Sequence, residues 1–388
     1  MPSSLDRRQF LQRAAALPVT GALAASCGAP GAAPAGGATP SPAATPGPTT
    51  VLVPKVNGGI NVHPLRRLDR DPAERDPVII PELVALQLRA VYELGFDGMR
   101  ISAPFGDRGG FLAAVPYVRA ARALGIDAVV ILTDFAGLTL ARALHDERRR
   151  PVVLRLYERV FAAPPVPVRP DAGGLTPGGA GRIAFQILNE PSHFLGVPPD
   201  VYVRELLWPC YSELTREEPQ VIVVAAGEIG NVHGALRVRA MIEAGLEDAC
   251  DRIAYHVYSL RAIPLLEPNV RGLVWVTESG AAGTPLHLPW VRDTFPEIQA
   301  RIPDVSRIFY YDLFDFDRGL HRLIDIRPAG LGYEAVVESR ELHAHFTERV
   351  EEAAAGQPLA EFETLIPDIR AYFATPADVA AYEAALEA

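Results

Sequence analysis

Eight short apolar runs, separated by segments of helical periodicity, limit what this chain can fold into. The runs occupy residues 58–63, 98–103, 128–133, 183–189, 221–226, 253–258, 273–277 and 308–313. They are largely apolar on both faces, as a parallel strand covered from both sides must be. Between them, residues 81–94, 111–124, 152–161, 200–215, 233–244 and 288–301 read as amphipathic helices. Gly95 and Gly125 each follow a helix and precede a strand, where a C-cap glycine belongs. Strict alternation over about 290 residues predicts an α/β chain with a single (β/α)8 TIM barrel at 56–350. The rival is an open doubly wound sheet, whose first strand usually feeds a glycine-rich phosphate loop. Here that place reads Asn61, Val62, His63, Pro64, so the barrel is preferred.

A barrel sorts its loops: those after strands share the face that carries chemistry, those before strands the opposite one. The Pro/Gly-rich stretch 164–181 precedes strand four and should lie away from any site. Loops 64–80 and 316–332 follow strands one and eight, neighbours on a closed barrel, and should wall a cleft together. Residues 260–271 are too short and proline-broken for a full helix, which predicts a reduced sixth crossover. Residues 333 to about 350 should supply the eighth helix, and the acidic tail 351–388 one or two short helices against the barrel.

The amino terminus carries an address and not a fold. Arg7 and Arg8 before Gln9-Phe10-Leu11 resemble a twin-arginine signal, and the apolar stretch 14–25 is too short to span a bilayer. Ala24-Ala25-Ser26-Cys27 resembles a lipoprotein cleavage box with Cys27 as the lipidated residue, although Leu23 stands one place too far back. Release after ordinary cleavage is the alternative, so the protein is expected in the cell envelope or secreted. Residues 28–55, nearly all Ala, Pro, Gly, Ser and Thr in their first part, should be a disordered linker. A formal net charge of -10 argues against a nucleic-acid partner. The remaining cysteines, Cys210 and Cys250, are compatible with one disulfide or with two buried thiols, and have no metal-ligand spacing.

Two of the apolar runs end in a glutamate. IAFQILNEP at 183–191 stops at Asn189, Glu190 and Pro191; GLVWVTESG at 272–280 carries Glu278 at its lip. Carboxylates at the ends of separate strands suit acid/base and nucleophilic work on a glycosidic bond, because a rigid scaffold fixes their separation. The pattern is similar to glycoside hydrolase clan A, the retaining (β/α)8 glycosidases, with families 5 and 39 nearest. Members carry Asn-Glu at the end of strand four and a glutamate at the end of strand seven, matched by Asn189-Glu190 and Glu278. Families of the clan carry an arginine on strand two, matched by Arg100, and family 5 a His-x-Tyr on strand six, matched by His256 and Tyr258.

The resemblance implies Glu278 as nucleophile and Glu190 as acid and then base, with Arg100 and Tyr258 holding Glu278. It implies Asn189 bonded to the sugar 2-hydroxyl and His256 shaping the site. Many clan members place a tryptophan after strand eight; this chain has FYYDLF at 309–314, so Tyr311, Phe314 or another aromatic would stack on the sugar. Asn61 and His63 are candidate floor residues. Asp134 would bind hydroxyls or cap the next helix. Trp275 has the wrong parity relative to Glu278 and should face the helices. A carbohydrate partner, a monomer and no cofactor are expected. Two other readings stay open: a non-catalytic glycan-binding lipoprotein on a glycosidase scaffold, and a barrel of other chemistry such as a metal-dependent hydrolase, though His63, His256 and His321 lack paired His-x-His spacing.

Overall fold

The computed structural model describes residues 58–64, 79–134, 138–163, 181–217, 221–266, 273–282, 284–302, 304–314, 324–329, 332–337, 366 and 368–388. The expected export signal, Cys27, the expected linker, most of loops 64–80 and 164–181, and His321 lie outside these residues.

All eight expected strands form. They are β1 (Gly58–Val62), β2 (Gly98–Pro104), β3 (Asp127–Thr133), β4 (Ile183–Ile187), β5 (Ile222–Val224), β6 (Ile253–His256), β7 (Val274–Ser279) and β8 (Val305–Tyr310). Their order is β5-β4-β3-β2-β1-β8-β7-β6, and every pairing is parallel. The two ends of that series meet where Val224 bridges Arg252 and the Ala225 N–H donates to the Arg252 carbonyl at 2.9 Å. The ring is therefore a nearly closed (β/α)8 barrel.

The helices start and stop where local chemistry directs. Asp107 accepts from the Gly110 N–H to open the helix Arg108–Ala123, and Asn231 does the same with Gly234 for Val232–Glu243. Gly95 and Gly125 end their helices at φ 74° and 80°, conformations that cost a residue with a Cβ about 1–2 kcal/mol. The sixth crossover is reduced, as expected: its described part holds a 3₁₀ turn, Leu260–Ala262, and a single α turn, Ile263–Leu266.

Inside the barrel, Val129, Ala184, Val224, Ala254, Trp275 and Phe309 form an apolar cluster separate from the main core. Side chains from six strands can meet only on the barrel axis, so Trp275 faces inward and the parity argument fails. The cause is a β-bulge: Val276 pairs with Ile308 but Ser279 with Tyr310, three residues against two. The inserted residue resets alternation, so Trp275 and Glu278 both point inward. Beneath Trp275, Arg307 pairs with Asp127 at 3.1 Å and lies 5.4 Å from the indole; Arg252 lies 5.6 Å from it. Arg182 adds a 2.8 Å bond to Asp127. Arg182, Arg252 and Asp127 stand at or before strand starts and Arg307 near the start of β8, so the group sits at the N-terminal end of the barrel.

One element is corrected. Residues 332–337 are a strand, β10 (Gly332–Val337), antiparallel to β9 (Ile324–Ala329), and not the start of an eighth helix. Gly332 pairs with Ala329, and a glycine-first dipeptide, Gly330-Leu331 in the sequence, is a hairpin signal before it. Residues 338–350 lie outside those described. Cys210 and Cys250 are two separate buried thiols, and burial pushes each up to about 12.

Candidate active site

β4 ends at Ile187, and the chain then turns sharply: Leu188 takes φ 66° and Glu190 φ 45°. Left-handed backbone at two residues with side chains is strained and persists only where surroundings hold it. Here Leu188 N–H donates to the Leu132 carbonyl at 2.9 Å and Glu190 N–H to the Gly227 carbonyl at 3.0 Å. Pro191 then starts the single turn Pro191–Phe194, closed by the His193 and Phe194 N–H groups on the Glu190 carbonyl. The turn leaves the Glu190 carboxylate buried and aimed at β6.

There it meets His256, whose Nδ1 lies 2.9 Å from Glu190 Oε1. The other ring nitrogen, Nε2, is 3.5 Å from Glu278 Oε1, so the imidazole stands between the two carboxylates. One oxygen of each glutamate lies within 4.8 Å of one of the other. The two strand-end glutamates, 88 positions apart in the chain, thus converge on one mouth.

Glu278 is held at both oxygens. Arg100 Nη1 donates to Oε1 at 2.7 Å and the Tyr258 hydroxyl to Oε2 at 3.0 Å. Burial by itself would raise this carboxyl, but the charges of His256 and Arg100 and the bonds from Arg100 and Tyr258 outweigh it. The pKa falls below the ordinary carboxylate value. Burial and the neighbouring Glu278 charge push Tyr258 well above the usual phenol range, so it stays a donor.

Arg100 is 2% exposed and spends its guanidinium on four acceptors: Glu278, Gln186 Oε1 through Nε at 2.8 Å, Asn61 Oδ1 at 2.6 Å and Asn189 Oδ1 at 2.7 Å. Asn189 also accepts from Gln186 Nε2 at 3.1 Å, which turns its amide nitrogen away from both and leaves that nitrogen as a donor. Asn61 is consumed in support, because its Nδ2 donates to the carbonyls of Thr277 and Tyr310 at 3.0 and 3.1 Å. It braces the arginine and is not an open floor residue.

The other candidates divide. His63 Nε2 lies 3.0 Å from Asp312 Oδ2, and its ring meets Tyr311 edge-on at 5.7 Å. Tyr311 also meets Tyr258, the residue that holds Glu278, edge-on at 6.1 Å; Phe314 is buried in the main core and cannot stack on a ligand. Asp134 accepts through Oδ2 from the Leu140 N–H at 3.0 Å, in the first turn of the helix Thr139–His145.

Sequence reasoning missed Gln186 and Glu228. Gln186 faces the barrel axis from the middle of an apolar strand, and a buried glutamine there needs polar partners. Glu228, 1% exposed, follows β5. The run Val221 to Glu228 ends in a carboxylate as β4 and β7 do, a signal that extending the strand by two residues would have exposed.

Glu190, His256 and Glu278 each present a possible metal-ligand atom within 4.8 Å of the others. The set does not fit a cation: Arg100 already occupies Glu278 Oε1 at 2.7 Å, and a metal there would sit against a guanidinium.

Among solved structures, the fold is similar to a GH5 xyloglucan-specific endo-β-1,4-glucanase from a metagenomic library. The match has 12% identity and a TM-score of 0.50, over 76% of this chain and 97% of that one. Looser likenesses include Thermotoga maritima Cel5A (15% identity, TM-score 0.46, 70% and 91% covered) and the catalytic domain of GH30 xylanase C from Talaromyces cellulolyticus (12%, 0.45, 70% and 71%). No protein-family model matches the chain, and no curated protein matches it. The first of these likenesses independently supports the (β/α)8 barrel on which the site is built.

Proposed function

We propose that this protein is a retaining β-glycosidase, with Glu278 as nucleophile and Glu190 as acid and base. The observation that carries the reading is the convergence of two buried carboxylates within 4.8 Å, one braced by Arg100 and Tyr258 and the other by His256. Retaining enzymes hold their carboxyl groups about 5–5.5 Å apart, whereas inverting enzymes need about 6.5–9.5 Å to admit water. In the first step Glu278 Oε attacks the anomeric carbon while Glu190 gives its proton to the departing oxygen, and a glycosyl ester forms. In the second, Glu190 takes a proton from water, or from a sugar hydroxyl if the reaction is a transfer, and that oxygen displaces Glu278. Asn189 Nδ2 would donate to the sugar 2-hydroxyl. The carbohydrate is a β-linked oligo- or polysaccharide, met after export; the signal at Arg7 and Arg8 and the lipid site at Cys27 support that location from sequence alone.

A panel of nitrophenyl β-glycosides and natural oligosaccharides tests this. Glu278→Ala should lose turnover, and azide should restore it with inverted glycosyl azide as product. Equal inertness of wild type and Glu278→Ala, with retained glycan binding, would replace the enzyme reading with a binding lipoprotein.

A further inference from the structure

The loop that carries Glu190 is held from behind by a carboxylate with no part in the two-step reaction. Glu228, just past β5, has a fully buried side chain. Its Oε1 accepts from the Ser192 N–H at 2.9 Å, two residues beyond Glu190. Its Oε2 lies 3.7 Å from Arg237 Nη1 on the helix Val232–Glu243, and has no hydrogen-bond partner among the described residues. A buried carboxylate is costly, so its presence calls for a task.

The task is set by the backbone at Glu190. A glutamate at φ 45° would relax if its surroundings let it, and such strain costs about 1–3 kcal/mol. Three sets of bonds oppose relaxation: Glu190 N–H on the Gly227 carbonyl, the turn bonds from His193 and Phe194, and Ser192 N–H on Glu228. Only the last is made by a side chain, and it comes from the same β5 exit that supplies the Gly227 carbonyl. We propose that Glu228 is a positioning residue that locks Glu190 into its left-handed turn and so keeps the Glu190 carboxylate on His256, in place to protonate the leaving group. The inference rests on the glycosidase reading.

Burial raises the Glu228 carboxyl; the Ser192 bonds and Arg237 lower it, and the Glu190 charge raises it again, with a net rise. The Ser192 N–H needs an acceptor oxygen and not a charge, so a neutral acceptor at this position keeps the lock closed. Glu228→Gln retains a carbonyl oxygen for Ser192. Glu228→Asp retains the charge but is one methylene short, and Glu228→Ala removes the acceptor.

The test compares kcat/KM, which reports formation of the glycosyl-enzyme, on 2,4-dinitrophenyl and phenyl β-glycosides of whichever sugar the wild type turns over. Dinitrophenolate departs without a proton and phenolate does not. Glu228→Asp and Glu228→Ala should lose about ten- to a hundredfold on the phenyl substrate, part of the 10²–10⁴ that general acid catalysis supplies, and less than about threefold on the dinitrophenyl one. Glu228→Gln should stay within about threefold of wild type on both. Equal losses on the two substrates in Glu228→Asp, or a Glu228→Gln as impaired as Glu228→Asp, would overturn the positioning role. If Glu228→Ala does not fold, the Asp and Gln pair decides alone. A wild type inert on every glycoside would instead remove the glycosidase reading itself.

Discussion

Arg100 shows how one side chain can set the charge state of a site. Its guanidinium is buried, and a buried charge must be paired and fully hydrogen-bonded to be tolerated. Glu278 supplies the charge, while Gln186, Asn61 and Asn189 supply the remaining acceptors. The same contact that satisfies the arginine lowers the carboxyl of Glu278. If Glu278 is the nucleophile, as proposed above, it must be ionised, so the acidic limb of the activity profile should lie below the ordinary carboxylate range. Arg100→Met removes a lowering influence, so the pKa of Glu278 rises and the acidic limb moves to higher pH, visible in kcat/KM against pH. An unmoved limb would mean that Arg100 does not set this ionisation. The variant should also lose up to about 3–5 kcal/mol of stability near neutrality, because Glu278 keeps the Tyr258 bond and the His256 ring but loses its guanidinium partner. The sign follows from the lowered carboxyl. Its stabilisation is present above the unfolded value and is lost as pH falls through the folded one, so the gap between wild type and variant should narrow in acid.

The strand exits are the elements that turn a generic barrel into a site. The exit of β5 is the least conspicuous in sequence and the most connected in space. It accepts Glu190 N–H at Gly227, holds Ser192 through Glu228, and packs directly on His256. A Cβ at Gly227 would stand 2.5 Å from His256 Nε2 and Cδ2, inside contact distance of a ring that has no room to move. Gly227→Ala should therefore push the imidazole off Glu190. A displacement near 1 Å costs on the order of a hundredfold in catalysis, and overpacking costs about 1–3 kcal/mol in stability. Steady-state kinetics beside thermal denaturation would show activity falling much further than stability; wild-type kcat/KM in a folded Gly227→Ala would refute the close-packing argument.

The same exits show what could be read from the chain. Glu190 and Glu278 were legible because a carboxylate at the end of an apolar strand is rare, and a parallel sheet has few tasks for it; Arg100, Asn189, His256 and Tyr258 were picked out by the resemblance to clan A motifs. Trp275 was misplaced because alternation counts residues and a bulge adds one without leaving a mark in composition. Gln186 and Glu228 were missed because each acts through another residue, and a bracing role has no motif. Residues 333–337 were read as helix because the repeat demanded one there, although Tyr333, Val336 and Val337 favour a strand.

At the scale of the molecule, the tail is part of the compact unit that holds the barrel, which spans Val53–Ala388. The helix Pro376–Glu387 opens with a capping box between Thr375 and Asp378, and Asp378 then pairs with Arg119 at 3.1 Å on the helix Arg108–Ala123. Arg119 also donates to the Phe373 carbonyl, a further point tying tail to barrel, and to the Val160 carbonyl within the barrel's own helical layer. Tyr382 is the centre of this joint. Its hydroxyl donates to the Phe105 carbonyl at 2.6 Å, and its ring lies 4.7 Å from Phe111, within an aromatic group that extends to Tyr157 and Phe161. Tyr382→Phe keeps the ring and orphans one buried carbonyl, so it should cost about 1–3 kcal/mol. Tyr382→Ala also opens a cavity and should cost about 3–5 kcal/mol, a large part of a typical total of about 5–15 kcal/mol. Because the site is built from the strand exits and not from this joint, kcat well below the melting temperature should change by less than about twofold, while chemical denaturation shifts in the order wild type, Phe, Ala. A tail that merely rests on the barrel would give three coincident denaturation curves, since undocking it would leave the core that is being unfolded untouched.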